Sequence, residues 1–311
     1  MTEISPLRIG IIGLGSFGSR IAMRLLWNGF PSVNTYDQND MTVRLFSNEY
    51  GAMGLGSPRM VAQTSDIVLT ILPSASDLQE ACFGWESLAK GFPNGGTIID
   101  LGVTDPQETS RIARELAARK IDFIDAPAFG TPAQAKEGKI TLVVGGEEAA
   151  VARVQPILQI LSQRIFRAGG PGTAQAASAL ADYMSSIQIL AASEAIRLGT
   201  QFGFKPNDLL DICDAMGGHA VPGLIRSELA TRRFESGRAL GLVRRNLALV
   251  MQMANNAKVQ APLLQSNLAS WDQAEQQIGY GSDQTAIIKW LETLQPPLAA
   301  DQDLPQGEAQ A

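Results

Sequence analysis

Near its start the chain runs Leu7-Arg8-Ile9-Gly10-Ile11-Ile12, then Gly13-Leu14-Gly15-Ser16-Phe17-Gly18, then a helical pattern to about Gly29. That order constrains the fold more than any other feature. The apolar run predicts a buried strand and the segment from Ser16 predicts a helix. In a G-x-G-x-x-G set between the two, the first glycine permits a tight turn and the second lets a pyrophosphate approach the backbone. The third lets helix and sheet pack closely, and the helix N-terminus adds free N–H groups and a positive dipole. A chain with 30 glycines produces such a pattern by chance, so its position carries the weight. Asp37 ends a second predicted strand, Val33-Asn34-Thr35-Tyr36, 19 residues after Gly18. An acid there accepts from both hydroxyls of a ribose. The pattern therefore predicts a dinucleotide held by Gly13, Leu14, Gly15, Ser16, Phe17, Gly18, Asp37 and Gln38.

Asp37 also bears on which dinucleotide. Its carboxylate repels a 2′-phosphate, and Gln38 and Asn39 offer no compensating cation. Arg44 is the nearest positive charge. The expectation is NAD in preference to NADP.

Further apolar runs follow at Asp66–Leu72, Gly96–Asp100, Ile121–Asp125 and Ile140–Val144, separated by helical segments. Near-continuous β-branched runs between helices predict a parallel sheet covered on both faces, a doubly wound α/β domain over residues 1–166. Ala168-Gly169-Gly170-Pro171-Gly172 then breaks the pattern. Residues 173–200 contain no strong breaker and predict one helix about 42 Å long. Segments 206–216, 221–233, 238–257, 261–277 and 283–293 also read as helical. An all-α domain over 167–295, joined by the long helix 173–200, is expected, with a disordered tail at 296–311.

Lys and Arg number 25 against 31 Asp and Glu, a net charge of −6 with no basic block, which argues against nucleic acid or an anionic membrane as partner. Two cysteines form no disulfide framework, and the first residues lack a signal-peptide pattern, so a cytoplasmic protein is expected. No apolar run spans a bilayer. A metal site has no support, because Cys82, Cys213 and the single histidine, His219, are scattered.

Motifs along nearly the whole chain resemble the β-hydroxyacid dehydrogenase family, which includes 3-hydroxyisobutyrate and 6-phosphogluconate dehydrogenases and is related to imine reductases. The resemblance rests on Gly13 to Gly18, Ile71-Leu72-Pro73, and Ile99-Asp100 followed by Pro106. It continues in Asp125-Ala126-Pro127 ahead of Gly130 and in Gly145-Gly146. Gly172-Thr173-Ala174-Gln175-Ala176-Ala177 opens the long helix, and Phe234 precedes Arg245-Asn246. The resemblance implies a Rossmann domain, a helical domain that builds a homodimer, and a small-molecule substrate held in a cleft between the two.

The polar set that the resemblance implies is altered. The family's catalytic lysine falls on Ser178 and an asparagine one turn later on Asp182. A carboxylate-binding serine falls on Phe129, a Ser-Thr turn on Gly102-Val103, and a Lys-Asp pair on Arg245-Asn246. Oxidising an alcohol needs a base and reducing a ketone needs an acid. Ser178 supplies no positive charge, and Phe129 offers an apolar face where a donor is expected. A bulkier, less anionic substrate follows.

Ser178 and Asp182 are four apart and share a helix face. Asp182 stabilises a cationic substrate or donates a proton on one reading, and is a solvated or capped charge on the other. Tyr183 points about 100° away, with packing as its main role and the substrate lining as the second. His219, in a Gly-rich segment, suits general acid work with a water, or is incidental. Arg245 anchors a substrate or cofactor anion, or joins Arg244 on a solvated face. Leu72, Pro73, Gly102 and Val103 end strands where the nicotinamide is expected, and Phe129 and Gly130 join the substrate lining. The leading expectation is hydride transfer at a carbonyl or hydroxyl carbon without the lysine, with Asp182, Ser178 and His219 as catalytic candidates. An imine reductase and a non-catalytic cofactor-binding scaffold are the alternatives.

Overall fold

The computed structural model describes residues 7–30, 32–92, 95–216 and 223–294. His219 and the segment from residue 296 onward lie outside them. The chain divides into two compact units between Ala181 and Asp182, inside the long helix.

The first unit opens with β1 (Ile9–Ile12), α1 (Gly18–Trp27), β2 (Val33–Tyr36), α2 (Asp40–Tyr50), β3 (Met53–Gly54) and α3 (Pro58–Gln63). It continues through β4 (Ile67–Thr70), α4 (Ala75–Phe83), α5 (Leu88–Gly91), β5 (Gly96–Asp100), α6 (Pro106–Ala117) and β6 (Ile121–Asp125). The hydrogen-bonded order β3-β2-β1-β4-β5-β6 is parallel throughout. Alternation along these strands explains why both faces are covered. Ile9, Ile11, Ile67, Leu69 and Ile99 face one core with Ile21 and Leu25 of α1. Ile12, Val68 and Ile98 face the other, with Val61, Leu78, Cys82 and Ile112. The order of strands reverses between β1 and β4, and such a switch point opens a crevice at the carboxyl ends of the strands.

The sheet is not parallel to its end. β7 (Ala128–Phe129), α7 (Pro132–Glu137), β8 (Thr141–Gly145), α8 (Glu148–Leu161) and β9 (Arg164–Gly169) complete it. β8 runs antiparallel to β6 and to β7, and β9 pairs parallel with β8. Only α7 lies between β7 and β8, too short a link for the crossover a parallel neighbour needs.

The long helix α9 spans Thr173–Gln201. The second unit adds α10 (Pro206–Ala215), α11 (Gly223–Thr231), α12 (Leu240–Asn256), α13 (Pro262–Ile278), a 3₁₀ turn at Gln284–Ala286 and α14 (Ile287–Thr293). Its core includes the fully buried Trp271. The indole donates to Asn267 Oδ1 at 3.2 Å, Asn267 donates to Ser186 Oγ at 2.7 Å, and Ser186 donates to the Tyr183 carbonyl at 2.7 Å. That chain ties α13 to α9 and leaves Tyr183 half-buried. Among the described residues no helix is long and apolar enough to cross a membrane.

Candidate active site

The turn after β1 has the geometry that a bound dinucleotide requires. Gly13 has φ +97°, and a Cβ there would sit 2.2 Å from the Ile71 carbonyl oxygen. A Cβ on Gly18 would meet the Gly13 carbonyl oxygen at 2.0 Å, so α1 packs against the turn only through glycine. A Cβ on Gly15 meets nothing within 4 Å, leaving open space over the turn. α1 begins two residues later than its sequence pattern suggests, leaving Ser16 and Phe17 in the turn, and no side chain caps it. By contrast α2, α3, α4, α6 and α7 are capped by Asn39, Ser57, Ser74, Asp105 and Thr131. Uncapped N–H groups, the helix dipole and an open backbone suit a pyrophosphate.

Asp37 lies just past β2, half-buried. Its Oδ2 accepts from the Leu14 N–H at 2.7 Å and its Oδ1 from the Asn39 N–H at 2.9 Å, so the acid braces the turn it follows. A carboxylate keeps further lone pairs beyond these two for a sugar diol. Gln38 beside it is exposed. Arg44 lines a surface hollow with Asp40, Val43, Ser47, Asn48, Gly54 and Leu55, which Asp37 does not line.

Leu72 and Pro73 follow β4, Leu72 half-buried and Pro73 exposed. The half-buried pair Gly102 and Val103 follows β5 and is fixed by two interior acids. Asp100 and Asp125 are partners in the β5–β6 register, and both are buried. Asp100 accepts from Thr70 Oγ1 at 2.7 Å, the Gly102 N–H at 3.4 Å and Thr104 Oγ1 at 3.5 Å. Asp125 accepts from the N–H groups of Gly172, Ala174 and Gln175 at 2.9–3.1 Å, and so caps α9. Gln175 completes the brace, donating to the Gly102 carbonyl at 2.9 Å and accepting from the Thr104 N–H at 3.1 Å. Burial pushes the Asp100 carboxyl up to about 6, against the pull of the Thr70 hydroxyl. Burial also raises Asp125, which the three backbone donors oppose.

Phe129, half-buried in β7, pairs with Thr141. At Gly130, φ is +153° and a Cβ would meet Ile140 Cγ2 at 2.9 Å, so the bend after Phe129 requires glycine.

On α9, Ser178 is 1% exposed and its Oγ has no hydrogen-bond partner. One turn on, Asp182 is 5% exposed. Arg238 donates to both its oxygens, Nη1 to Oδ1 at 2.7 Å and Nη2 to Oδ2 at 2.6 Å. Asn246 of α12 adds its Nδ2 to Oδ2 at 2.5 Å. Asp182 is thus a buried, paired carboxylate and not a solvated one. Arg245, next to Asn246, is half-buried and has an interaction partner of its own. Phe234 takes the ammonium of Lys289 over its ring at 4.3 Å.

Sequence reasoning missed Arg238 as a site residue, and no local signal marks it, 56 residues from its partner. It also missed the roles of Asp100, Asp125 and Gln175. The signal available for the two acids was a carboxylate ending an otherwise apolar strand.

Known proteins resemble this chain over most of its length. A family model described as the NAD-binding domain of 6-phosphogluconate dehydrogenase matches residues 8–170. Another, described as the NAD-binding part of NADP-dependent 3-hydroxyisobutyrate dehydrogenase, matches 172–291. The mitochondrial 3-hydroxyisobutyrate dehydrogenase of Mus musculus is 29% identical over 85% of this chain and 80% of its own length. The solved Mycobacterium tuberculosis 3-hydroxyisobutyrate dehydrogenase with L-serine superposes with a TM-score of 0.83 at 22% identity, covering 92% of this chain and 99% of that one. An imine reductase from Pseudomonas sp. shares the fold at a TM-score of 0.57 and 17% identity, with the same coverage.

Proposed function

Because this chain belongs to the β-hydroxyacid dehydrogenase family, we propose that it transfers hydride to or from a carbonyl or hydroxyl carbon of a substrate bulkier and less anionic than a small hydroxy acid. A nicotinamide dinucleotide supplies the hydride chemistry, and the glycine turn, the open end of α1 and Asp37 hold it. NAD is the preferred form, since the Asp37 carboxylate repels a 2′-phosphate.

One observation carries the substrate reading. Ser178, where the resemblance implies lysine, is buried with an unpartnered hydroxyl. That hydroxyl hydrogen-bonds a substrate oxygen but offers no cation to a carboxylate. Asp182 spends both oxygens on Arg238 and Asn246. We therefore assign it to holding the site's shape, and the proton to His219 acting with a water. Phe129 supplies an apolar wall.

Leu180, Met184 and Leu198 of α9, and Phe202 just past its end, are all exposed. At 100° per residue they fall within a stripe about 40° wide. A second copy of this chain is the proposed occupant, giving a homodimer.

The test is NADH and NADPH oxidation at 340 nm with aldehydes, ketones and cyclic imines. Turnover of a bulky carbonyl with NADH supports the reading, and an imine reduced faster than any ketone selects an imine reductase. Tight NADH binding without turnover, unaffected by Asp182→Ala or His219→Ala, selects a scaffold.

A further inference from the structure

Asn246 is 3% exposed, and only one end of its amide is used. Nδ2 donates to Asp182 while Oδ1 accepts from nothing. Chemistry decides which way the amide faces. Asp182, held by the two-pronged fork of Arg238, presents acceptors alone. An amide beside it must offer NH₂, so its carbonyl oxygen is turned away from the ion pair. Buried acceptors without donors are rare in native proteins, and each calls for an explanation. This one lies on the residue whose Nδ2 is hydrogen-bonded to Asp182.

The geometry points to Asn246 as the residue that reads a hydrogen-bond donor on the substrate, its Oδ1 accepting from an N–H or O–H. Asp182 and Arg238 are positioning residues that act through it by fixing the amide's orientation. The site then favours alcohols, amines and protonated imines over isosteric molecules that carry only lone pairs or fluorine at that place. A substrate lacking the donor leaves the acceptor buried and unpaired, and this is how a polar site rejects a close analogue most strongly. The inference rests on the proposed function in one respect, that the Ser178–Asp182 face meets the substrate.

Two isosteric pairs test it on the NADH-loaded full-length chain, followed by ligand-observed NMR titration: pyrrolidine against tetrahydrofuran, and cyclopentanol against fluorocyclopentane. None of the four is reducible by NADH. In the wild type the donor-bearing member of each pair binds at least ten-fold more tightly, a difference of about 1.4 kcal/mol. Asn246→Leu brings each ratio within about two-fold while NADH still binds, which shows the variant folded. Equal affinities in the wild type, no binding of any probe, or a preference that survives Asn246→Leu overturns the inference. A preference lost in Asn246→Leu, in a protein that never oxidises NADH with any carbonyl or imine, keeps this inference and removes the redox reading instead.

Discussion

Arg238 and Asp182, 56 residues apart in sequence, meet as a two-pronged ion pair at 2.7 and 2.6 Å, with the carboxylate nearly buried and the guanidinium side chain 30% exposed. Removing one partner of a buried pair strands the other. Arg238→Met is expected to cost about 3 kcal/mol in urea unfolding. Arg8→Met, which breaks the exposed pair with Asp66, costs about 0–1 kcal/mol. Equal losses would show that the Arg238 pair is no more than a surface contact.

The three glycines of the first turn are expected to separate by mechanism. Gly13→Ala and Gly18→Ala push a methyl against carbonyl oxygens and lower stability. Gly15→Ala meets nothing in the protein, so melting is unchanged while NADH affinity falls, because the methyl occupies the backbone's open side. Calorimetric titration beside thermal melts checks both. Gly15→Ala binding NADH like the wild type would remove the pyrophosphate from this turn.

Asp100 sets a pH dependence with a defined sign. Burial pushes its folded carboxyl up to about 6, above the ordinary aspartate value of 3.8. The folded state therefore holds this proton more tightly than the unfolded chain, and stability is lost as pH rises. The penalty is absent below about 3.8, grows between 4 and 6, and is complete above 6 at roughly 3 kcal/mol. Relative to Asp100→Asn, the wild type is expected to be less stable at pH 7.5 than at pH 4.5 in urea titrations. A constant difference across that range would mean Asp100 does not titrate there.

Ser178→Ala should leave stability within about 0.5 kcal/mol of the wild type, since the hydroxyl has no partner to lose. Turnover should fall at least ten-fold through kcat, because a hydrogen bond to the reacting oxygen is lost. A fall in stability without a fall in kcat would make the serine structural.

How much of this was legible follows from what each feature asks of the sequence. The glycine turn, Asp37 and the central strands are local signals, and each of them appears in the fold. The long helix reads as 173–200 and runs Thr173–Gln201, since nothing in between breaks it. Strand direction is not local. The apolar run at Ile140–Val144 looks like its neighbours, yet β8 runs against β6. β9 escaped notice because it is largely exposed, with Arg164, Phe166 and Arg167 on its surface. In the site, helical spacing puts Ser178 and Asp182 on one face, but no period in the sequence brings Arg238 to Asp182. The cap that Asp125 places on α9 is equally silent, because a strand-ending acid does not announce which helix it will meet.

Titration of NADH into the purified chain, followed by nicotinamide fluorescence and repeated with Gly15→Val and Asp37→Ala, tests the account most directly. Saturable binding of one NADH per chain, abolished by Gly15→Val and weakened at least ten-fold by Asp37→Ala, is the expected result. No binding at millimolar NADH, or binding indifferent to both substitutions, would contradict it.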